Sequence, residues 1–223
     1  MEIIAEVTPV TDRGRLLKKL EALRPLVNKI DIPEAPGGKP TAHALAVGVL
    51  AKQMGFEPIV HIRLLDVNKT GLKSLIGGAY LLDIREVVVL QGDPPAEGRP
   101  VGDVSTEEAV AEAKKIGLKV GALLSLKRDY RRRIEALGAD FYLALHFTDV
   151  RQLEGLPPVV YPYVMVKTNN NSVLIERLKQ TAVDPQKALE LIRALEGVAP
   201  GVVVSVPGDF DTLLSLLNQI KKS

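Results

Sequence analysis

The residue types with the most chemical potential in this chain stand at the ends of short apolar runs: Glu6, Asp31, His61, Asp66, Gln91-Gly92-Asp93, Ser125, His146 and Lys167. Glu6 lies within Ile3-Ile4-Ala5-Glu6-Val7, a setting that desolvates a carboxyl and raises its pKa toward the range of a general acid at neutral pH. A salt-bridged strand-end glutamate fits the same pattern. His61 follows Ile59-Val60 and suits a ligand hydrogen bond or a structural one. Gln91-Gly92-Asp93-Pro94-Pro95 is the sharpest local feature: an apolar run enters a Gly that permits close backbone approach to a ligand, then Asp, then two stiffening prolines. Val206-Pro207-Gly208-Asp209 offers free N–H groups to an anion, but Asp209 as a helix cap is the preferred reading. Lys127, Arg128, Arg131, Arg132 and Arg133 form the dense basic cluster, by default a solvated helix face from which some members reach a phosphate. No HxH or HxxxH pair occurs, so no metal site is expected. Lys167 precedes Thr-Asn-Asn-Asn, a polar setting unlike the apolar one that activates a Schiff-base lysine, which leaves a lyase or aldolase the weaker option.

Positioning these residues requires elements that alternate. Val- and Ile-rich runs take turns with stretches whose apolar residues recur at three and four, the pattern of βαβ units and a parallel sheet. Strands are expected at residues 3–7, 27–32, 58–63, 86–90, 119–124, 141–145, 159–165 and 202–206. Helices are expected at 12–23, 41–54, 68–82, 106–116, 127–137, 185–195 and 209–220, with a short helical turn at 149–153. Eight strand units over 223 residues predict a compact single-domain (β/α)8 barrel spanning 1–223. A doubly wound sheet is the alternative, but Thr8-Pro9-Val10-Thr11 lacks the glycines of its phosphate turn.

Composition excludes several classes. With no Cys there is no disulfide, thiolate metal site or cysteine nucleophile. The 29 Lys and Arg nearly balance 27 Asp and Glu, and the basic cluster has only Tyr130 among it, so no nucleic-acid surface is expected. No apolar run approaches the roughly 20 residues of a membrane span and the start lacks signal-peptide character, so a cytoplasmic protein without membrane contact is expected. Absent Cys and Trp with abundant Glu, Lys and Arg fit a thermophile.

Ala5-Glu6-Val7-Thr8-Pro9, Asp31-Ile32-Pro33 and, above all, the stretch from His61 through Asp66, Asn68, Gly77-Gly78-Ala79 and Ile84-Arg85 to Leu90-Gln91-Gly92-Asp93-Pro94-Pro95 carry a resemblance. Together with Leu137-Gly138-Ala139-Asp140-Phe141, they make the chain resemble the flavin-dependent methylenetetrahydrofolate reductases, particularly the short prokaryotic members. The resemblance implies a TIM barrel with flavin across the strand ends, FAD or alternatively FMN. A reduced nicotinamide or another donor reduces the flavin, which reduces a methylene-pterin to its methyl form. It implies that Glu6 protonates the pterin, that Asp93 stands by the flavin and the pterin, and that His61, Gln91 and Gly92 contact flavin. Asp31, His146 and Lys167 are the expected substrate contacts, and a homo-oligomer is the family habit. The chain departs from the pattern in places. Gln91 stands where many relatives have Arg, Leu145 where they have a folate-contacting Gln, and Ser125-Leu126-Lys127-Arg128 where they have Pro-Glu-x-His-Pro. Ser125 and Arg128 are then the expected substitutes for the missing phosphate contacts. A non-catalytic relative that has lost flavin and binds a pterin or a partner protein is the alternative function.

Overall fold

The computed structural model describes residues 1–222. Eight parallel strands close into a barrel in chain order: β1 (Glu2–Glu6), β2 (Lys29–Ile32), β3 (Glu57–Arg63), β4 (Glu86–Leu90), β5 (Lys119–Ser125), β6 (Phe141–Leu145), β7 (Val160–Met165) and β8 (Gly201–Ser205). β8 pairs back onto β1 through Ile3 and Val202, so no strand edge is left open. Around them lie α1 (Arg13–Leu23), α2 (Ala44–Gln53), α3 (Lys69–Leu81), α4 (Thr106–Lys115), α5 (Tyr130–Leu137), α6 (Ser172–Leu178), α7 (Pro185–Ala194) and α8 (Phe210–Lys221). The fold is the expected (β/α)8 TIM barrel. Side-chain caps start most of the helices: Ser105 and Glu108 form a capping box on α4, Asp184 precedes Pro185 on α7, and Asp209 caps α8 by accepting from the Thr212 N–H. Asp209 is therefore a cap, the reading preferred from sequence.

One helix was not legible. α6 occupies a stretch after β7 where no helix is expected from the sequence. It has seven residues, buries only Ile175 and lacks a side-chain cap, so it carries neither the periodic apolar face nor the start signal by which helices are recognised.

Alternation along the strands sorts side chains into two compartments. Ala5, Ile30, Val60, Val87, Val120 and Val204 point outward under the helices, while Ile4, Ile59, Val88, Phe141, Leu143 and Val203 fill the barrel. At the N-terminal end the interior is ionic. Lys29 is buried there against Glu86 at 3.2 Å and Glu2 at 3.3 Å, and Lys119 reaches the same Glu86 at 2.9 Å. At the opposite end the β2–α2 loop folds over the mouth. Gly38, at φ +72°, passes so close to the Pro94 carbonyl that any Cβ would collide with it, and the Ala96 N–H donates to the Gly38 carbonyl at 2.8 Å. The loop after β2 and the loop after β4 are thus stitched together above the strand ends.

Candidate active site

The strand register assembles the floor of the site. Glu6 is the last residue of β1 and pairs in register with Asp31, which lies one residue below the outer end of the neighbouring β2–β3 ladder. His61 follows on β3 with the same inward parity as Ile59. From β7, beyond β8 on the other side of β1, Tyr163 sends its hydroxyl to donate to Glu6 Oε2, and the same hydroxyl lies 3.4 Å from Asp31 Oδ2. Asp31 Oδ1 is 2.7 Å from His61 Nε2, which places one chain of hydrogen bonds through Glu6, Tyr163, Asp31 and His61. Asp31 is fully buried and His61 and Tyr163 nearly so; only Glu6, half-buried, faces the opening.

Burial dominates the electrostatics here. It pushes the Glu6 carboxyl above its usual pKa, the Asp31 charge adds to the rise, and the hydrogen bond from Tyr163 partly opposes both. Burial works against a charged His61, but the Asp31 carboxylate beside it, with Glu6 and Glu34 further off, overcomes that and raises its pKa. Burial and the two carboxylates hold the Tyr163 phenol far above its ordinary value, so it remains a donor. The Ser205 hydroxyl is buried beside Glu6 and Tyr163, near enough to temper both shifts without forming a well-made bond of its own. A carboxyl whose pKa is raised by burial, with a hydroxyl placed to stabilise its anion, is the arrangement a proton donor needs.

The second feature is the corner after β4. The glycine there is needed for a reason the sequence does not show. Gly92 has φ +88°, and a Cβ on it would stand 2.5 Å from Arg63 Nε. A protein side chain occupies the space a Cβ would take, while Gly92 also lines the cleft. Arg63, 3% exposed, donates to the Asp66 carboxylate and to the Asp93 carbonyl, which fixes the corner, while its Nε–H is buried without an acceptor.

Glu6, His61, Gly92, Asp93 and Tyr163 share one cavity of about 490 Å³, within the range of small-molecule sites. Its walls are mainly apolar, among them Leu90, Leu123, Leu145, Met165, Leu174 and Leu178. The β2–α2 loop roofs one side through Pro36, Gly37 and Lys39. The structure thus brings Glu6 and Asp93 to one compartment, as the sequence reading required.

Other residues singled out from sequence are elsewhere. Asp31 lies beneath the floor and acts on the cleft only through Tyr163 and His61. Gln91 turns away, its amide donating to the Val104 carbonyl at 3.0 Å. Ser125 and Arg128 do not line the cleft; Arg128 is exposed and its N–H donates to the Ser125 carbonyl in a turn. His146, at φ +65°, has Nδ1 accepting from the Thr181 N–H at 3.2 Å and lying 3.0 Å from its hydroxyl; burial, with Lys127 and Arg128 nearby, lowers its pKa. Lys167 is exposed, 3.2 Å from Glu176, and borders a separate, open polar hollow with Thr168, Asn170 and Asp209. It lacks the apolar burial of a Schiff-base lysine.

Two residues that build the candidate site went unnoticed in the sequence. Arg63 shares inward parity with His61 two residues earlier, a signal that continued alternation would have exposed. Tyr163 sits in an otherwise apolar strand, and nothing local marks it, because its partners are 157 and 132 residues away.

No family model matches the chain, and no curated protein sequence matches it. Solved structures do. An uncharacterised protein from Clostridium thermocellum that binds two copies of 5-methyl-5,6,7,8-tetrahydrofolic acid aligns with 99% of this chain and 95% of its own at 12% identity and a TM-score of 0.72. The likeness is one of fold. A GH18 chitinase from Pseudoalteromonas aurantia aligns over 100% of this chain and 99% of its own with a TM-score of 0.65 at 10% identity. A tryptophan synthase complex from Pyrococcus furiosus aligns over 100% and 98% with a TM-score of 0.60 at 12% identity. Such varied chemistries on one barrel leave function to the site's own residues. Among the described residues, no helix is long and apolar enough to cross a membrane.

Proposed function

We propose that the cleft binds a reduced pterin and that the protein reduces a methylene-pterin to the methyl form with a bound flavin. The observation that carries this reading is Glu6: a carboxyl with raised pKa, hydrogen-bonded by Tyr163, shares an apolar cleft with Asp93. A folate-binding barrel among the structural neighbours agrees with it.

The chemistry needs a proton and a hydride at one carbon–nitrogen unit. Glu6 donates its proton to the ring nitrogen that leaves the bridging methylene; the carbon–nitrogen bond opens and an iminium forms on the pterin. Tyr163 donates to the resulting Glu6 carboxylate, and the Asp31–His61 pair behind it supports that hydroxyl. Asp93, on a corner clamped by Arg63, offers an acceptor to the N–H groups of a pterin ring. Apolar walls exclude water, which would otherwise capture the iminium.

A flavin, when bound, supplies the hydride. The residues present suit its ring: His61, Gly92 and Asp93 border the cleft beside Leu90 and Leu123, and Arg63 Nε–H is a buried donor without an acceptor. They suit its adenine half less well, since Gln91, Ser125 and Arg128 all lie off the cleft. FMN therefore fits better than FAD. Titration of the purified protein with FMN and FAD tests the proposal: an absorbance change on uptake, bleaching by a reduced donor and recovery of colour on adding methylene-tetrahydrofolate are expected. Uptake of neither flavin would refute the reductase, and 5-methyltetrahydrofolate binding without flavin would identify the non-catalytic relative instead.

A further inference from the structure

Three cations line the cleft without a carboxylate: Arg15 and Lys19, one turn apart on α1, and Lys39 on the β2–α2 loop. Among the described residues none of the three enters an ion pair, although Lys29, Lys52, Arg63, Arg85, Lys114 and Lys119 all do. Of the acidic groups around the cleft, Asp93 forms no ion pair with these cations and the others are committed elsewhere. Glu34 accepts the Ala44 N–H at 2.6 Å, Asp209 accepts from Thr168, Asn170 and the α8 backbone, and Glu6 takes the Tyr163 hydroxyl. Lys19 is half-buried with its ammonium 5.2 Å from the centre of the Phe210 ring, which holds it at the cleft wall. Its burial and the neighbouring Arg15 charge lower its pKa, a penalty that an anion beside it would relieve. Lys39 follows Gly38, which is pinned against Pro94 and Ala96, so its backbone is held in place.

We propose that Arg15, Lys19 and Lys39 bind the anionic tail of the cleft's ring ligand, a phosphate or a carboxylate. This rests on the cleft being a ring-binding site and extends it to an amphipathic ligand class: an uncharged conjugated ring toward Glu6 and Asp93, and a negative tail toward α1. The phosphate of FMN and the glutamate tail of a folate share this chemistry.

Matched ligand pairs separate tail from ring. Binding is measured for FMN against riboflavin, for 5-methyltetrahydrofolate against a tetrahydropterin without the benzoylglutamate, and for anilinonaphthalene sulfonate against uncharged N-phenylnaphthylamine. Charge-assisted hydrogen bonds of this kind are worth about tenfold or more in affinity each. In the R15Q/K19M variant, the tailed member of a pair is expected to weaken about tenfold or more and lose its salt dependence, while its tailless partner is unchanged. The charge-preserving R15K/K19R variant is expected to restore tail binding, which separates charge from folding. Whether the FMN or the folate pair responds identifies the tail. Equal weakening within every pair, or no response in any, overturns the inference. If no pterin or flavin binds but the sulfonate pair responds, the tail site stands and the reductase reading fails.

Discussion

The two ends of the barrel use the same charged side chains to opposite ends. At the N-terminal end, Lys29 is enclosed by Glu2, Glu57 and Glu86, and Lys119 shares Glu86, so that nearly every charge meets its opposite within 4 Å. At the C-terminal end, Glu6 faces the cleft with a tyrosine for a partner, and Arg15, Lys19 and Lys39 have no anion. Burial costs a charge free energy at either end. The closed end recovers it within the protein, through Coulombic attraction that keeps Lys29 protonated with its pKa raised despite its burial. The open end leaves it unrecovered, and the balance appears as a raised Glu6 pKa and a lowered Lys19 pKa. Unrecovered cost marks where a ligand belongs.

The contrast can be broken at specific residues. The largest effect is expected from Glu6→Gln, which keeps the hydrogen-bonding shape but removes the proton: methyl-pterin formation should fall by about 100-fold or more in single-turnover assays, with ring binding intact. An unchanged rate would remove Glu6 from the chemistry. Lys29→Met should do the reverse. It leaves Glu2 and Glu57 without their lysine while Glu86 keeps Lys119, and is expected to cost about 2 kcal/mol in urea unfolding, less than the roughly 3–5 kcal/mol of a fully buried pair because Glu57 and Glu2 retain water, while ligand affinity holds. Loss of ligand binding in a folded Lys29→Met protein would erase the distinction between the ends.

Gly92→Ala should cost about 1–2 kcal/mol of stability, from a left-handed backbone that disfavours Ala and from collision with Arg63, and it should weaken pterin binding by displacing Asp93. Calorimetry on the variant with and without ligand checks both. Tyr163→Phe removes the donor that lowers the Glu6 pKa, so the pH at which activity is lost should rise above that of the parent. A limb moving to lower pH would contradict the hydrogen bond's sign.

The smallest effect concerns stability against pH. His61 has a folded pKa above its unfolded 6.5, so its contribution is complete below that pH and is lost as pH rises through the folded value. Thermal melts across that window should show the parent losing stability relative to His61→Gln; parallel curves would mean that Asp31 does not favour the imidazolium.

Most of the barrel was legible because Val- and Ile-rich runs and three-four periodicity are written locally. Glu6 was legible for the same reason, as a carboxyl inside an apolar run, and so was the Gly92-Asp93 corner, where a buried strand stops at a glycine. α6 was not, being too short to carry a period, and Gln91 was misleading, since its type suggests a ligand contact while its amide serves Val104. The role of Gly92 was legible only in part: its flexibility could be anticipated, its collision partner could not.

By itself, the sequence determined the order of strands and helices, the closure they permit, and an acid and a corner at adjacent ends of that closure. Which charges find partners was decided only by the tertiary structure. Glu6 is 157 residues from Tyr163, Asp31 is 30 from His61 and Lys29 is 57 from Glu86; strand pairing from β2 through β4 closes the last two distances, and the first vanishes only when β8 meets β1. A charge's pKa and role depend on what lies within a few ångströms of it, and in a closed barrel those neighbours come from strands far apart in the chain.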